Sequence, residues 1–196
     1  MARTGPRLTG AHILAIAVVA ACGSLLVGRY LMAVRGAPQR QGTGACVALD
    51  PETQSRAAPD FDLPDLSGKR QKLSNLRGKV VLLNFWLTTC PPCVEELPSM
   101  ARFQQAMASW ADDFALLTVS VDESTNPVKK FLEQYKTLFG SLPVLIDPSH
   151  KVSTAFGTTK FPETYLIDRD GTIRYRFINK RDWASPAALE CVRSLM

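Results

Sequence analysis

The sequence predicts an α/β domain built on a mixed parallel and antiparallel sheet flanked by helices, with an N-terminal transmembrane helix ahead of it. Three observations predict the sheet. Val80–Trp86, "VVLLNFW", is a continuous run, apolar but for Asn84, with β-branched and aromatic members, the pattern of a strand buried on both faces. A helical stretch and a second apolar strand, Phe114–Val121, follow it, and that order implies a right-handed parallel unit. Near the C-terminus, Glu163–Asp168 and Thr172–Ile178 flank Asp170-Gly171, a hairpin signal that makes the last pair antiparallel.

The first 35 residues contain four arginines (Arg3, Arg7, Arg29, Arg35) and no acidic residue. They account for most of the net charge of +5, so the rest of the chain is near neutral and the charge does not support a nucleic-acid-binding surface. Leu8–Val27 carries no formally charged side chain and is about as long as the roughly 20 residues that span a bilayer. A cleaved signal peptide and a lipobox at Val19-Ala20-Ala21-Cys22, with Cys22 lipidated, compete with this reading. Both expect polar sequence afterwards, whereas "SLLVGRYLMAV" stays apolar. The expectation is an uncleaved anchor over residues 1–35. Flanking arginines lie on both sides of the span and do not orient it, so export of the long C-terminal domain is the default.

Residues 36–58 mix Gly, Pro, Gln and Thr without periodicity and read as a flexible tether. The domain is expected over residues 59–196. It opens with a small hairpin around Ser67-Gly68 and continues into the Val80–Trp86 strand. From Cys93 to about Ala108, apolar residues Leu97, Met100, Phe103 and Met107 recur at helical spacing, with Pro98 expected to kink that helix. After the Phe114–Val121 strand, Asn126-Pro127 opens a helix to about Leu138. "LPVLID" reads as a short strand and "PSHKVSTAF" as a short helix with His150 facing solvent. Ser185-Pro186 caps and starts a final helix.

Five cysteines occur: Cys22, Cys46, Cys90, Cys93 and Cys191. The Cys90-Pro91-Pro92-Cys93 spacing alone is a weak signal, but its context is strong. Cys90 falls at a strand-to-helix junction, where free N–H groups and a partial positive charge favour a thiolate, the reactive form. Cys93, one turn on, lies on the same face and can close a disulfide. A zinc site needs about four N/S ligands, and Cys46, Cys191 and His150 are scattered singly, so no metal or other cofactor is expected. Cys46 and Cys191 are expected to pair with each other, since disulfides persist and free thiols are a liability in an oxidising compartment. By residue type alone, Glu96 reads as an exposed acid complementing the helix dipole, as does Glu95. Pro162 reads as an ordinary strand start.

The "VVLLNFW" strand, the Cys-x-x-Cys, the Glu-Leu-Pro after it and the downstream "FPETYLID" together resemble the membrane-tethered thioredoxin-like proteins of the TlpA/ResA/DsbE group. The resemblance spans about Phe61 to Leu195 and implies a thioredoxin-like fold and thiol–disulfide oxidoreductase activity. It implies Cys90 as the attacking cysteine, Cys93 as the resolving one, and Pro162 as a cis-proline facing the dithiol. Glu96 matches the acidic residue near the dithiol, and Glu163 a second acidic position in the DsbE branch. Two positions depart from the thioredoxin pattern. Thr89 stands where tryptophan is common, and Asn84 stands in place of a buried aspartate.

The resemblance further implies reduction of disulfide-containing protein substrates on the extracytoplasmic side of a bacterial inner membrane. A membrane electron donor of the DsbD/CcdA type would re-reduce the pair, with cytochrome c maturation or copper-enzyme assembly as the use. Alternatives stay open from the residues themselves. The dithiol could introduce disulfides instead, because direction depends on the relative stability of its two redox states. Pro91 and Pro92 remove two N–H donors beside Cys90, which leans towards a reducing pair. A non-enzymatic copper-delivery protein is a second alternative, although related copper chaperones use Cys-x-x-x-Cys with a distant histidine. The Pro-x-x-x-Thr-x-x-Cys pattern of peroxiredoxins is absent.

Overall fold

The computed structural model describes residues 44–140 and 142–196. The expected membrane anchor (residues 1–35), Cys22 and the first part of the expected tether lie outside them. Among the described residues no helix is long and apolar enough to cross a membrane.

The elements are α1 (Gly44–Val47), β1 (Glu52–Ala57), β2 (Asp62–Pro64), β3 (Arg70–Lys72), β4 (Val80–Trp86), α2 (Pro91–Ala106), β5 (Phe114–Ser120), α3 (Thr125–Gln134), α4 (Lys136–Phe139), β6 (Val144–Ile146), α5 (Lys151–Phe156), β7 (Glu163–Ile167), β8 (Thr172–Ile178) and α6 (Pro186–Arg193). Six strands form one sheet in the order β1-β8-β7-β4-β5-β6, and β2 and β3 form the small separate hairpin. β4–β5 and β5–β6 are parallel, while β4–β7, β7–β8 and β8–β1 are antiparallel. This is the mixed sheet that the order of apolar runs predicts.

β4 is central, and all seven of its residues are buried. Its alternating side chains feed two cores. Leu82 and Trp86 pack with Cys93, Leu97, Met100 and Phe103 of α2 and with Ala188 and Cys191 of α6. Val81, Leu83 and Phe85 pack on the other face with Phe156, Tyr165 and Ile167. Burying side chains of this size is worth about 1.5–3 kcal/mol each, so β4 and α2 form the rigid frame of the molecule.

Three expectations are corrected. Residues 44–58 are not a tether. Glu52–Ala57 pairs with β8 as an edge strand, and Cys46, fully buried, is disulfide-bonded to Cys191 of α6 across 145 residues of sequence. A polar strand with one ladder partner and an exposed face has no apolar alternation to reveal it. The helix read through to Leu138 breaks at Tyr135 into α3 and α4, and Phe131, Tyr135 and Phe139 lie against one another with ring centroids 5.0–5.5 Å apart. His150 is a half-buried helix cap in the left-handed region at φ 57° rather than a solvent-facing residue.

Candidate active site

Parallel strands β4 and β5 end together, and the loops leaving their C-terminal ends build the site, as is usual in open α/β sheets. The loop after β4 is held by Asp122, just beyond β5. The Thr88 backbone N–H and hydroxyl donate to its carboxylate at 3.1 and 2.6 Å, and Ser120 Oγ donates to it at 2.8 Å. Val121 N–H donates to Trp86 O at 3.0 Å and ties the two strand ends directly. Asp122 escapes a reading based on the dithiol; its only sequence signal is an acid directly after a buried strand.

Cys90 is the N-cap of α2, with Pro91 and Pro92 at the first two helical positions. Those prolines have no N–H, so the first backbone donor after Cys90 is that of Cys93. It points at Cys90 Sγ from 3.3 Å. The helix end therefore gives this sulfur a single hydrogen bond. Cys90 and Cys93 are disulfide-bonded, with Cys93 only 1% exposed and Cys90 half-buried. An incoming thiol or disulfide can reach Cys90 but not Cys93.

The Phe161–Pro162 peptide bond is cis. Register places Glu163 opposite Phe85, so Pro162 sits at the end of β4 from which the Cys90 loop departs. Its carbonyl accepts from Asn179 N–H at 3.0 Å.

Glu96, one helical turn below Cys93, is only 2% exposed, which overturns the reading by residue type as a surface acid. Three donors converge on its carboxylate. Trp183 Nε1 and Arg181 N–H donate to Oε1 at 2.7 and 2.9 Å, and Asn84 Nδ2 donates to Oε2 at 3.1 Å. Asn84 Nδ2 also donates to Thr164 Oγ1 at 2.9 Å, while its Oδ1 is buried without a partner. Turned over, that amide accepts a proton-bearing Glu96 O–H, so the pocket can satisfy either form of the acid. Burial pushes the carboxyl up to about 7, against the lowering effect of Arg181, Trp183 and Asn84. Trp183 was missed by residue-type reasoning, although a large aromatic in the polar stretch "NKRDWASP" could have drawn notice. Glu95 is exposed and ion-paired with Lys180.

Glu163 does not join this group. It lies on the opposite face of the sheet, fully buried, where Arg176 Nε and Nη2 hold its Oε1 at 2.8 and 2.5 Å and the Tyr165 hydroxyl donates to Oε2 at 3.0 Å. Strand alternation is the reason. Thr164, the next residue of β7, faces Asn84 and Glu96, so Glu163 must face away.

A raised carboxyl has a consequence for stability. The folded chain keeps the Glu96 proton up to about pH 7, whereas the unfolded chain releases it near 4.5. Stability contributed by this group is therefore full below about 4.5 and declines as pH rises through 7, by on the order of 3 kcal/mol. Glu96→Gln is expected to remove that decline. Urea denaturation of both proteins at pH 5 and pH 8 checks it, and an equal fall in the two would contradict it.

Fold and site together define a thioredoxin-like thiol–disulfide oxidoreductase: a Cys-x-x-Cys at a helix N-terminus, a buried acid beneath it and a cis-proline beside it. The chain belongs to the AhpC/TSA family, whose model matches residues 55–176. It is 36% identical over 124 residues to thioredoxin-like protein YneN of Bacillus subtilis (62% of this chain, 69% of YneN). It is 38% identical over 117 residues to the thiol-disulfide oxidoreductase ResA of Geobacillus thermodenitrificans (60% of this chain, 64% of that protein). Among solved structures it is similar to a putative thiol:disulfide interchange protein DsbE of Chlorobium tepidum. The TM-score is 0.64 at 30% identity, over 73% of this chain and 98% of the other. Among the described residues no cluster of three His, Cys, Asp or Glu could hold a metal ion.

Proposed function

We propose that this protein is a membrane-tethered, extracytoplasmic reductase of disulfides in partner proteins. The observation that carries the direction is the environment of Cys90. With Pro91 and Pro92 beneath it, the sulfur receives one N–H, from Cys93 at 3.3 Å. A helix start without those prolines offers several donors, and a poorly stabilised thiolate makes the reduced pair a stronger electron donor.

The reaction balances as two thiol–disulfide exchanges. Cys90 thiolate attacks one sulfur of the partner's disulfide, forming a mixed disulfide and releasing the other sulfur as a thiolate. Cys93, deprotonated in turn, attacks Cys90 Sγ, releasing the reduced partner and leaving Cys90–Cys93 oxidised. Two electrons pass to the partner. Glu96, able to hold or release a proton near neutral pH, is the group that exchanges protons with the Cys93 side of the pair. Pro162 and the backbone around it offer an extended edge to the substrate segment.

A membrane dithiol protein of the DsbD/CcdA type would return the two electrons, and cytochrome c or copper-enzyme maturation would use them. These assignments, with location at a bacterial inner membrane through residues 1–35, follow the resemblance to ResA- and DsbE-type proteins. The direction is tested by equilibrating the full-length chain with glutathione buffers and quantifying Cys90 and Cys93 by alkylation. The pair is expected to stay oxidised in buffers more oxidising than roughly −220 mV, and a potential near −120 mV, typical of strong oxidants, would reverse the assignment.

A further inference from the structure

Glu96 is held by residues that are themselves held from a distance. Arg181 gives its backbone N–H to Glu96 Oε1, while its guanidinium reaches the other way. Nε donates to Leu49 O at 2.7 Å and Nη2 to Asp50 O at 3.3 Å, both in the turn that follows α1. Nη1 donates to Ile178 O and Lys180 O at 2.9 and 3.0 Å. Among the described residues no carboxylate pairs with this guanidinium, so its charge is not cancelled locally. Ser99 of α2 closes the loop: its hydroxyl donates to Glu96 O at 2.8 Å, with Arg181 O a longer alternative at 3.3 Å, and accepts from Trp183 N–H at 3.1 Å. The turn that Arg181 grips is fastened on its other side by Cys46–Cys191, which joins α1 to α6.

We propose that Arg181 is a positioning residue for the thiol chemistry, through which the disulfide-braced N-terminal arm, residues 44–57, fixes the Glu96 carboxyl beneath the Cys90–Cys93 pair. The arm would otherwise be a structural addition remote from the dithiol. Arg181 makes it part of the site, because the same residue that anchors the arm supplies one of the three donors to the acid. A pocket of about 320 Å³, lined by Glu96, Pro98, Ser99, Arg102, Lys180 and Arg181 among others, opens on this region from outside.

The inference rests on Glu96 being the proton-exchanging group, and its sign follows from charge. The Arg181 N–H and guanidinium both favour ionised Glu96, so loosening them shifts its titration upward. The other groups facing the acid are Glu95 and Arg102 of α2, Lys180 and Asp182 of the 179–185 loop, and the uncharged Asn84, Thr164 and Trp183. Glu95 is tied to Lys180, and Arg102 lies 3.9 Å from Asp182, so Arg181 is the unpaired charge of the set.

The test is the pH profile of Cys90 alkylation by iodoacetamide in the reduced full-length chain, read by mass spectrometry for wild type, Arg181→Met, Arg181→Lys and the Cys46→Ser/Cys191→Ser pair. The inflection that Glu96→Gln abolishes is expected to move up by roughly half a pH unit or more in Arg181→Met. Arg181→Lys, which keeps the charge and loses the fork, should give a smaller shift. The cysteine pair should shift it in the same direction, and adding Arg181→Met to that pair should add nothing. An inflection that stays put in Arg181→Met, or a rate change equal at every pH, overturns the role of Arg181 while leaving Glu96 intact. A wild-type profile that Glu96→Gln leaves unaltered removes the proton role of Glu96, and this inference with it.

Discussion

Cys90→Ala is expected to lose disulfide exchange entirely, down to the rate of the uncatalysed reaction, whereas Cys93→Ala should still react once and stop. The asymmetry follows from exposure. Cys90 is half-buried and sits at the helix end with an N–H aimed at its sulfur, while Cys93 is 1% exposed and can be reached only from inside. Removing the attacking sulfur leaves no thiolate that a partner can meet. Removing the resolving sulfur leaves the first exchange intact and takes away the step that releases the partner. In Cys93→Ala the mixed disulfide should therefore accumulate, visible as a reducible higher-mass species on non-reducing gels, and its mass identifies the partner. Equal residual turnover in both variants would contradict the division of roles, and trapping through Cys93 in Cys90→Ala would invert it.

The second large effect belongs to the other disulfide. Cys46–Cys191 closes a loop across a sequence separation of 145 residues, and constraining a loop of that size in the unfolded chain is worth about 5 kcal/mol in the chain-entropy model. Replacing both cysteines with serine is expected to cost about 5 kcal/mol, and serine hydroxyls entering a fully buried site add to that loss. For a domain of this size that is a fall in Tm of about 10 °C. Calorimetry of the full-length chain with and without the pair measures it. A loss under ~1 kcal/mol would mean that Arg181 and the β1–β8 ladder hold the arm without the bridge. The same replacement is expected to shift the pH profile of Cys90 alkylation, so the stability loss is read separately, by calorimetry of the oxidised chain.

The fold was legible because its strongest signals are local. Val80–Trp86 is apolar at every position but Asn84 and buried at all seven, and only a strand covered on both faces requires that. The Asp170-Gly171 turn fixed the antiparallel end, since Gly171 adopts φ 75°, a left-handed conformation that side-chain-bearing residues rarely take. Cys90 and Cys93 were legible for the same reason: three residues apart at a helix start, their meeting is a property of the helix.

Glu96 and Glu163 show where local reading stops. Both are acids beside apolar runs, and residue type alone makes both look exposed. Which of them lies beneath the dithiol depends on the face of β7 that meets α2, and on whether Trp183 and Arg181 fold back over the helix. Residues 44–57 show the same limit. A polar segment has no hydrophobic pattern to announce itself, and its order comes from partners at Cys191, Arg181 and β8 that lie over a hundred residues away.

The sequence by itself determined the apolar strands, the helix start and the reactive pair, because each depends on residues within a turn or two of one another. Only the tertiary structure decided the proton affinity of Glu96, the placement of Glu163 on the far face and the docking of the N-terminal arm. Those depend on burial and on hydrogen bonds between residues distant in the chain, and desolvation is a property of the assembled core rather than of any segment in it.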